Sequence, residues 1–138
     1  MRMLSLAVAV GLGACATVPD TDRKLADPIA LLAGTWQVID NDGRVSVPCA
    51  NGQHFAPAPD GQWIELTELG VQDFKATYEV ITVSGDDLLL KIVDETRLTP
   101  AGKPVQWSPV FLSDNEFRWH RADWNRASMM TRARWVRC

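Results

Sequence analysis

Lys75-Ala76-Thr77-Tyr78-Glu79-Val80-Ile81-Thr82-Val83, then Ser84-Gly85-Asp86-Asp87, then Leu88-Leu89-Leu90-Lys91-Ile92-Val93-Asp94 is the stretch that decides the fold. Its opening is dense in Thr, Tyr, Val and Ile, side chains that suit a pleated, half-buried surface. Its close puts Leu88, Leu90 and Ile92 on one face, by the period of two that a strand imposes. The small and acidic residues between them read as a turn. The stretch predicts two antiparallel strands, 75–83 and 88–94, joined by a hairpin.

The same pattern extends outward in both directions. Residues 62–69 alternate Ile64 and Leu66 with Glu65 and Thr67. Further back, residues 35–40 and 44–47 flank Asn41-Asp42-Gly43, a hairpin signal. Further on, residues 110–112 and 116–120 flank Ser113-Asp114-Asn115, with Phe117 and Trp119 facing one way and Arg118 and His120 the other. Residues 128–136 read as the last strand, with Met129, Thr131, Ala133 and Trp135 on one face and Met130, Arg132, Arg134 and Val136 on the other. Residues 48–61, with Pro48, Pro57 and Pro59, and residues 96–109, with Pro100, Pro104 and Pro109, read as loops. The single helical signal is a turn at Asp27-Pro28-Ile29-Ala30-Leu31-Leu32, with Asp27 as N-cap, Pro28 in the first helical position and Gly34 as its end.

The expected fold is therefore all-β: a small antiparallel up-and-down barrel of about seven or eight strands, with a short N-terminal helical turn. Closure into a barrel removes the exposed strand edges that invite aggregation. The 138 residues suffice for one such domain, at 29–138.

A formal charge of -3 gives no global reason to expect nucleic acid as a partner. The charge is unevenly spread, because six arginines (Arg118, Arg121, Arg126, Arg132, Arg134, Arg137) follow Pro104 against Asp114, Glu116 and Asp123. The segment Trp119-His120-Arg121-Ala122-Asp123-Trp124-Asn125-Arg126 is the densest aromatic and basic cluster. Trp119, Arg121, Trp124 and Arg126 make a candidate surface for a glycan or an anionic partner, through stacking and charge.

The N-terminus carries a different message. Met1-Arg2-Met3 is a short positive region, residues 4–12 are almost continuously apolar, and Gly13-Ala14-Cys15 follows. This is the anatomy of a signal peptide, and the run is shorter than the ~20 apolar residues a spanning helix needs. Leu12-Gly13-Ala14-Cys15 resembles the lipobox of bacterial lipoproteins. The resemblance implies cleavage after residue 14 and a lipid on Cys15. It also implies anchoring by acyl chains such as palmitate, at ~0.8 kcal/mol for each buried CH₂. Residues 15–28 then become a lipidated, polar tether. Ala16, in place of an aspartate, points to the outer membrane with the domain in the periplasm.

With Cys15 used for lipid, Cys49 and Cys138 remain as an even pair in an oxidising compartment and are expected to form a disulfide. Two distant cysteines and the distant His54 and His120 lack the close ligand pairs of a structural zinc site, so no metal or cofactor is implied.

Leu31-Leu32-Ala33-Gly34-Thr35-Trp36 resembles the Gly-x-Trp motif that opens the first strand of lipocalin-like β-barrels. The resemblance implies that Trp36 closes the barrel floor and that an arginine near the last strand, Arg132, Arg134 or Arg137, packs on its ring. The same opening is similar to the small periplasmic metalloprotease inhibitors of compact barrel fold, which use a free N-terminal segment. A lipid on Cys15 sits awkwardly with that mode of action. No Gly-x-Ser-x-Gly elbow, phosphate-binding glycine loop or His-Glu-x-x-His occurs in the sequence. The expectation is a non-enzymatic, membrane-anchored lipoprotein that binds a small apolar ligand or an envelope protein, with periplasmic protease inhibition as the alternative.

Overall fold

A computed structural model describes residues 27–71, 75–85, 87–124 and 130–138. The lipobox with Cys15, the tether up to residue 26, and Arg126, Ser128 and Met129 lie outside the described residues.

The chain enters through helix α1, Pro28–Leu32, a single turn set by two local devices. The Asp27 carboxylate accepts from the Ile29 amide at 2.9 Å, and Pro28 occupies the first turn, where its missing N–H costs nothing. Nine strands follow among the described residues: β1 Gly34–Ile39, β2 Val45–Val47, β3 Gln53–Pro57, β4 Trp63–Glu68, β5 Lys75–Ser84, β6 Asp87–Ile92, β7 Trp107–Ser113, β8 Glu116–Arg121 and β9 Arg134–Arg137. Every pairing is antiparallel, and β9 returns to pair with β1 from Trp36↔Arg137 to Ile39↔Arg134. Eight strands thus close an up-and-down barrel, and β2 is an extra strand on the upper half of β1.

Inward residues alternate as the pleat requires. Leu32, Trp36, Phe55, Ile64, Leu66, Tyr78, Leu88, Leu90, Phe117 and Trp119 form one buried cluster. Within it the aromatics run in continuous contact. Trp36 meets Phe117 edge-on at 4.7 Å, Phe117 meets Trp119 at 5.2 Å, and Trp119 stacks on Tyr78 at 5.9 Å. Trp135 closes the row against Phe117 at 5.7 Å. These side chains pack against one another across the interior.

The structure corrects three boundaries. Residues 48–61 are not one loop: they hold a 3-10 turn, Cys49–Asn51, and the whole of β3. The loop expected at 96–109 ends early, because β7 begins at Trp107 and runs through Pro109. Trp119 directs its amide to Thr131 Oγ1 and accepts from the Thr131 amide, so it turns away from β7. Pro109, opposite it, therefore points its nitrogen at β6, where the ladder consists of the single pair Leu90↔Trp107. The last strand is shorter than 128–136: Arg132 and Ala133 form a bend, Met130 makes one isolated bridge to His120, and β9 starts at Arg134.

Candidate functional site

Three regions collect the polar and aromatic residues that the sequence brought forward. The first is the floor of the barrel. Trp36 is fully buried, and its indole N–H donates to the Leu32 carbonyl at 2.8 Å. Of the three candidate arginines, Arg137 supplies the cation, with its guanidinium carbon 4.2 Å from the Trp36 ring centroid. The same guanidinium donates to the carbonyls of Ala33 at 2.9 Å, Leu31 at 2.6 Å and Asp114 at 2.9 Å. One side chain thus caps the open end of α1, ties the β7–β8 turn and covers the tryptophan. Gly34 is required here. It sits at φ +116°, and a Cβ at this position would meet Arg137 Nη1 at 3.1 Å. This floor is structural, since its polar groups are satisfied by one another.

Beside the floor lies the disulfide. Cys49 is bonded to Cys138 across 89 residues, with Cα atoms 5.7 Å apart. It joins the turn before β3 to the chain's last residue, and both neighbours of the bond pack on β1. The Cys138 amide donates to Thr35 at 3.0 Å, and a Cβ on Gly52 would meet the Trp36 carbonyl at 2.8 Å.

The second region is the opposite mouth. The expected patch divides here. Trp119 is 7% exposed and belongs to the core, whereas Arg121 and Trp124 meet at the rim with the guanidinium 5.9 Å from the ring centroid. Two residues that the sequence did not single out complete this rim. Arg97 lies 5.4 Å over Trp107, and Trp107 meets Trp124 edge-on at 5.7 Å. The result is a ladder of Arg97, Trp107, Trp124 and Arg121. Each guanidinium carries its own carboxylate: Glu95 holds Arg97 through 2.7 and 2.8 Å bonds, and Asp123 holds Arg121 at 2.7 Å. The hydrogen bonds from Arg97 keep the Glu95 carboxyl below its ordinary pKa. Beneath the rim, burial pushes the Tyr78 phenol up to about 12, against the opposing pull of Arg97. The two guanidiniums of the mouth are thus charge-balanced, while the Trp107 indole nitrogen is buried without a hydrogen-bond partner among the described residues. Nothing local joins Glu95 and Arg97 to residues 107–124 in sequence, so only the barrel's closure reveals the ladder.

The third region is the outer face of β7, β8 and β9. Phe117 and Trp119 face inward, as the alternation predicts, which leaves Glu116, Arg118 and His120 outside. Arg134 binds Glu116 at 2.5 Å across the β8–β9 ladder. Among the described residues, Arg118 Nε and His120 Nε2 are buried and lack a hydrogen-bond partner. No group of three or more His, Cys, Asp or Glu among the described residues is arranged to hold a metal ion.

Compared with protein family models, with curated proteins and with solved structures, the chain gives no match.

Proposed function

We propose that this chain is a bacterial lipoprotein of the outer membrane, acylated on Cys15, whose periplasmic barrel is a packed scaffold for a non-enzymatic interaction with an envelope partner. The observation that carries the second half of this reading is the row of aromatic side chains packed across the interior. A barrel that receives a small apolar ligand keeps space for it, and an eight-stranded barrel has room either for side chains or for one small ligand. Here Trp36, Phe55, Tyr78, Phe117, Trp119 and Trp135 occupy that space. Recognition therefore belongs on the outer surface, and the partner is an envelope macromolecule rather than a small apolar ligand.

The anchoring half rests on Leu12-Gly13-Ala14-Cys15 and the apolar run before it. Cys49 and Cys138 are taken by the disulfide, which leaves Cys15 as the one remaining thiol in the sequence. The experiment is metabolic labelling with palmitate, followed by fractionation of the envelope. The wild-type chain takes up label and sediments with the outer membrane, whereas Cys15→Ala is unlabelled and leaves the membrane fraction. Unlabelled wild-type protein, or a Cys15→Ala chain that stays in the membrane, would overturn the reading.

A further inference from the structure

At the floor end of β4–β6 the outer face of the barrel is apolar. The alternation that sends Tyr78, Val80, Leu88 and Leu90 into the core sends Ile81 and Leu89 outward. Ile81 is the extra residue of a bulge between Val80 and Thr82, and Thr82 pairs with Leu89, so Ile81 and Leu89 are neighbours across the β5–β6 ladder. On the other side of β5, Trp63 heads β4 and pairs with Glu79, two residues before Ile81 on the same face. Trp63 is 42% exposed, Ile81 39%, and Val83, nearer the tip of the hairpin, 45%. Trp36, Trp107, Trp119, Trp124 and Trp135 each pack on another ring or a guanidinium, whereas Trp63 has no such contact among the described residues.

The segment that follows Cys15 joins the barrel beside this area. Pro28 opens α1 directly after Asp27, α1 packs on β3 and β6, and β4 and β5 lie between those two strands. Ile29 reaches the β3–β4 turn just before Trp63, where a Cβ on Gly61 would stand 4.0 Å from Ile29 Cδ1. Fully extended, the roughly twelve residues from Cys15 to Asp27 span at most about 40 Å. An acyl group on Cys15 therefore keeps this end of the barrel within ~40 Å of the lipid headgroups. So short a tether makes docking an intramolecular event, at an effective concentration on the order of millimolar, and a small apolar area is then sufficient.

We propose that the outer face at the floor end of β4–β6, with Trp63 and Ile81 at its centre, rests on the bilayer that anchors the chain, a docking that depends on the acylation of Cys15 proposed above. An indole has an apolar body and an N–H that bonds at headgroup level, which is why tryptophan concentrates at membrane interfaces. The charge bordering the area is compensated, because Glu65 pairs with Lys75 at 3.4 Å and Glu79 with Lys91 at 3.7 Å. Lysine stems lie along apolar surface while their ammonium groups stay in water. Asp60 and Asp87, at the adjoining turns, have no ion-pair partner among the described residues. Their charge opposes an anionic surface, so the fitting leaflet is zwitterionic and the contact is driven by apolar burial.

The mouth supplies an internal control. Leu98 and Val45 are more exposed than Trp63, at 59% and 51%, but they belong to the opposite end, Val45 beside Ile39 and Leu98 between β6 and β7. The full chain, purified from envelopes in detergent, is reconstituted in vesicles of phosphatidylcholine and phosphatidylethanolamine that include a phosphatidylcholine with a diazirine in one acyl chain. Irradiation and peptide mass spectrometry locate the lipid adducts and read the group on residue 15 in the same sample. The expected result is adducts on residues 61–64 and 81–83 at about tenfold or more the yield at Leu98 or Val45. High salt leaves that yield unchanged, and phosphatidylglycerol in place of phosphatidylcholine does not raise it. Trp63→Ser combined with Ile81→Ser lowers it by about tenfold, the scale of one apolar side chain withdrawn from water, and Leu98→Ser leaves it unaltered. The wild-type map decides the matter by itself should the double variant fail to fold. In an acylated chain, adducts that are absent, spread evenly or concentrated at Leu98 and Val45 overturn the docking and leave the anchoring reading standing. A residue 15 without an acyl group overturns both. A yield that the folded double variant keeps, or one that salt abolishes, overturns the docking as well.

Discussion

Arg137→Met is the most informative single change, because it removes the clamp at the floor while keeping the volume of the side-chain stem. The guanidinium makes two part-buried bonds to the carbonyls of Ala33 and Leu31, one exposed attachment to Asp114, and the stacking contact with Trp36. Hydrogen bonds with a charged partner contribute about 1.5–3 kcal/mol each when buried, and the two here are only part-buried, so ~1.5 kcal/mol each is the appropriate figure. The Asp114 carbonyl can turn to water and adds little. Cation–π stacking on a desolvated tryptophan adds ~1 kcal/mol. The sum is about 4 kcal/mol, a large part of the 5–15 kcal/mol by which a domain of this kind is stable.

Arg137→Lys separates charge from geometry. An ammonium keeps the charge but cannot reach both helix carbonyls and lie flat on the ring at once, so about half the loss, ~2 kcal/mol, remains. Urea unfolding followed by tryptophan fluorescence measures both variants against the wild-type chain. An Arg137→Met variant within about 1 kcal/mol of wild type, or an Arg137→Lys variant indistinguishable from it, would refute the clamp.

Other outcomes follow from the same geometry. Replacing Cys49 and Cys138 together by serine releases an 89-residue separation and costs about 4–5 kcal/mol in the chain-entropy account; the urea midpoint of wild-type protein in reductant should match that of the double variant. Tyr78 is the only tyrosine in the chain, so the ultraviolet absorbance of phenolate reports it alone. Its titration should centre near 12 in the folded protein rather than at the phenol's ordinary 10.0. Because the folded pKa is the higher one, stability is fully present below pH 10.0 and falls as pH rises towards 12, and Tyr78→Phe should abolish that alkaline slope. Glu95 behaves in the opposite sense. Its pKa is lowered on folding by Arg97, so its contribution is present above 4.5 and is lost as the solution is made more acid. The destabilisation caused by Glu95→Gln should therefore shrink as pH falls from about 7 to about 3, and a constant difference would contradict the pairing.

The parts of the fold legible in the sequence are those where one face is wholly apolar. β5 and β6 show their alternation because Tyr78, Val80, Leu88 and Leu90 all face the core. β3 was hidden because a single large apolar residue, Phe55, marks its inner face. Gln53 also points inward, where its Oε1 accepts from the Trp135 indole, so a polar residue stands where the pattern needs an apolar one. Pro109 hides the start of β7 in the sequence, because proline breaks a strand only if its nitrogen faces a complete ladder, and here it faces the sparsest seam of the barrel. The floor motif is legible because Gly34 and Trp36 lie two residues apart in sequence, but the choice of Arg137 over Arg132 and Arg134 requires the register of β9. Arg134 is on the outer face with Glu116, and Arg132 stands outside the strand. The mouth ladder joins residues from 95 to 124 and exists only once β6, β7 and β8 are neighbours.

The closing strand shows how structure and function divide in so small a barrel. β9 has four residues and pairs with β8 at only two positions, Glu116↔Val136 and Phe117↔Trp135. A chain end with so short a ladder frays unless it is tied down. Here Arg134 is tied to Glu116, Trp135 to Gln53, Arg137 to three carbonyls and the Trp36 ring, and Cys138 to Cys49. The alternation of the strand sends Trp135 and Arg137 inward and Arg134 outward, so closure consumes the interior and one outer arginine together. Glu116, on the same outer face, is drawn into the same task. Among the described residues Arg118 therefore has no ion-pair partner, a consequence of how the barrel is shut. The strand that seals the fold thus leaves positive charge on the outer face of its neighbour β8.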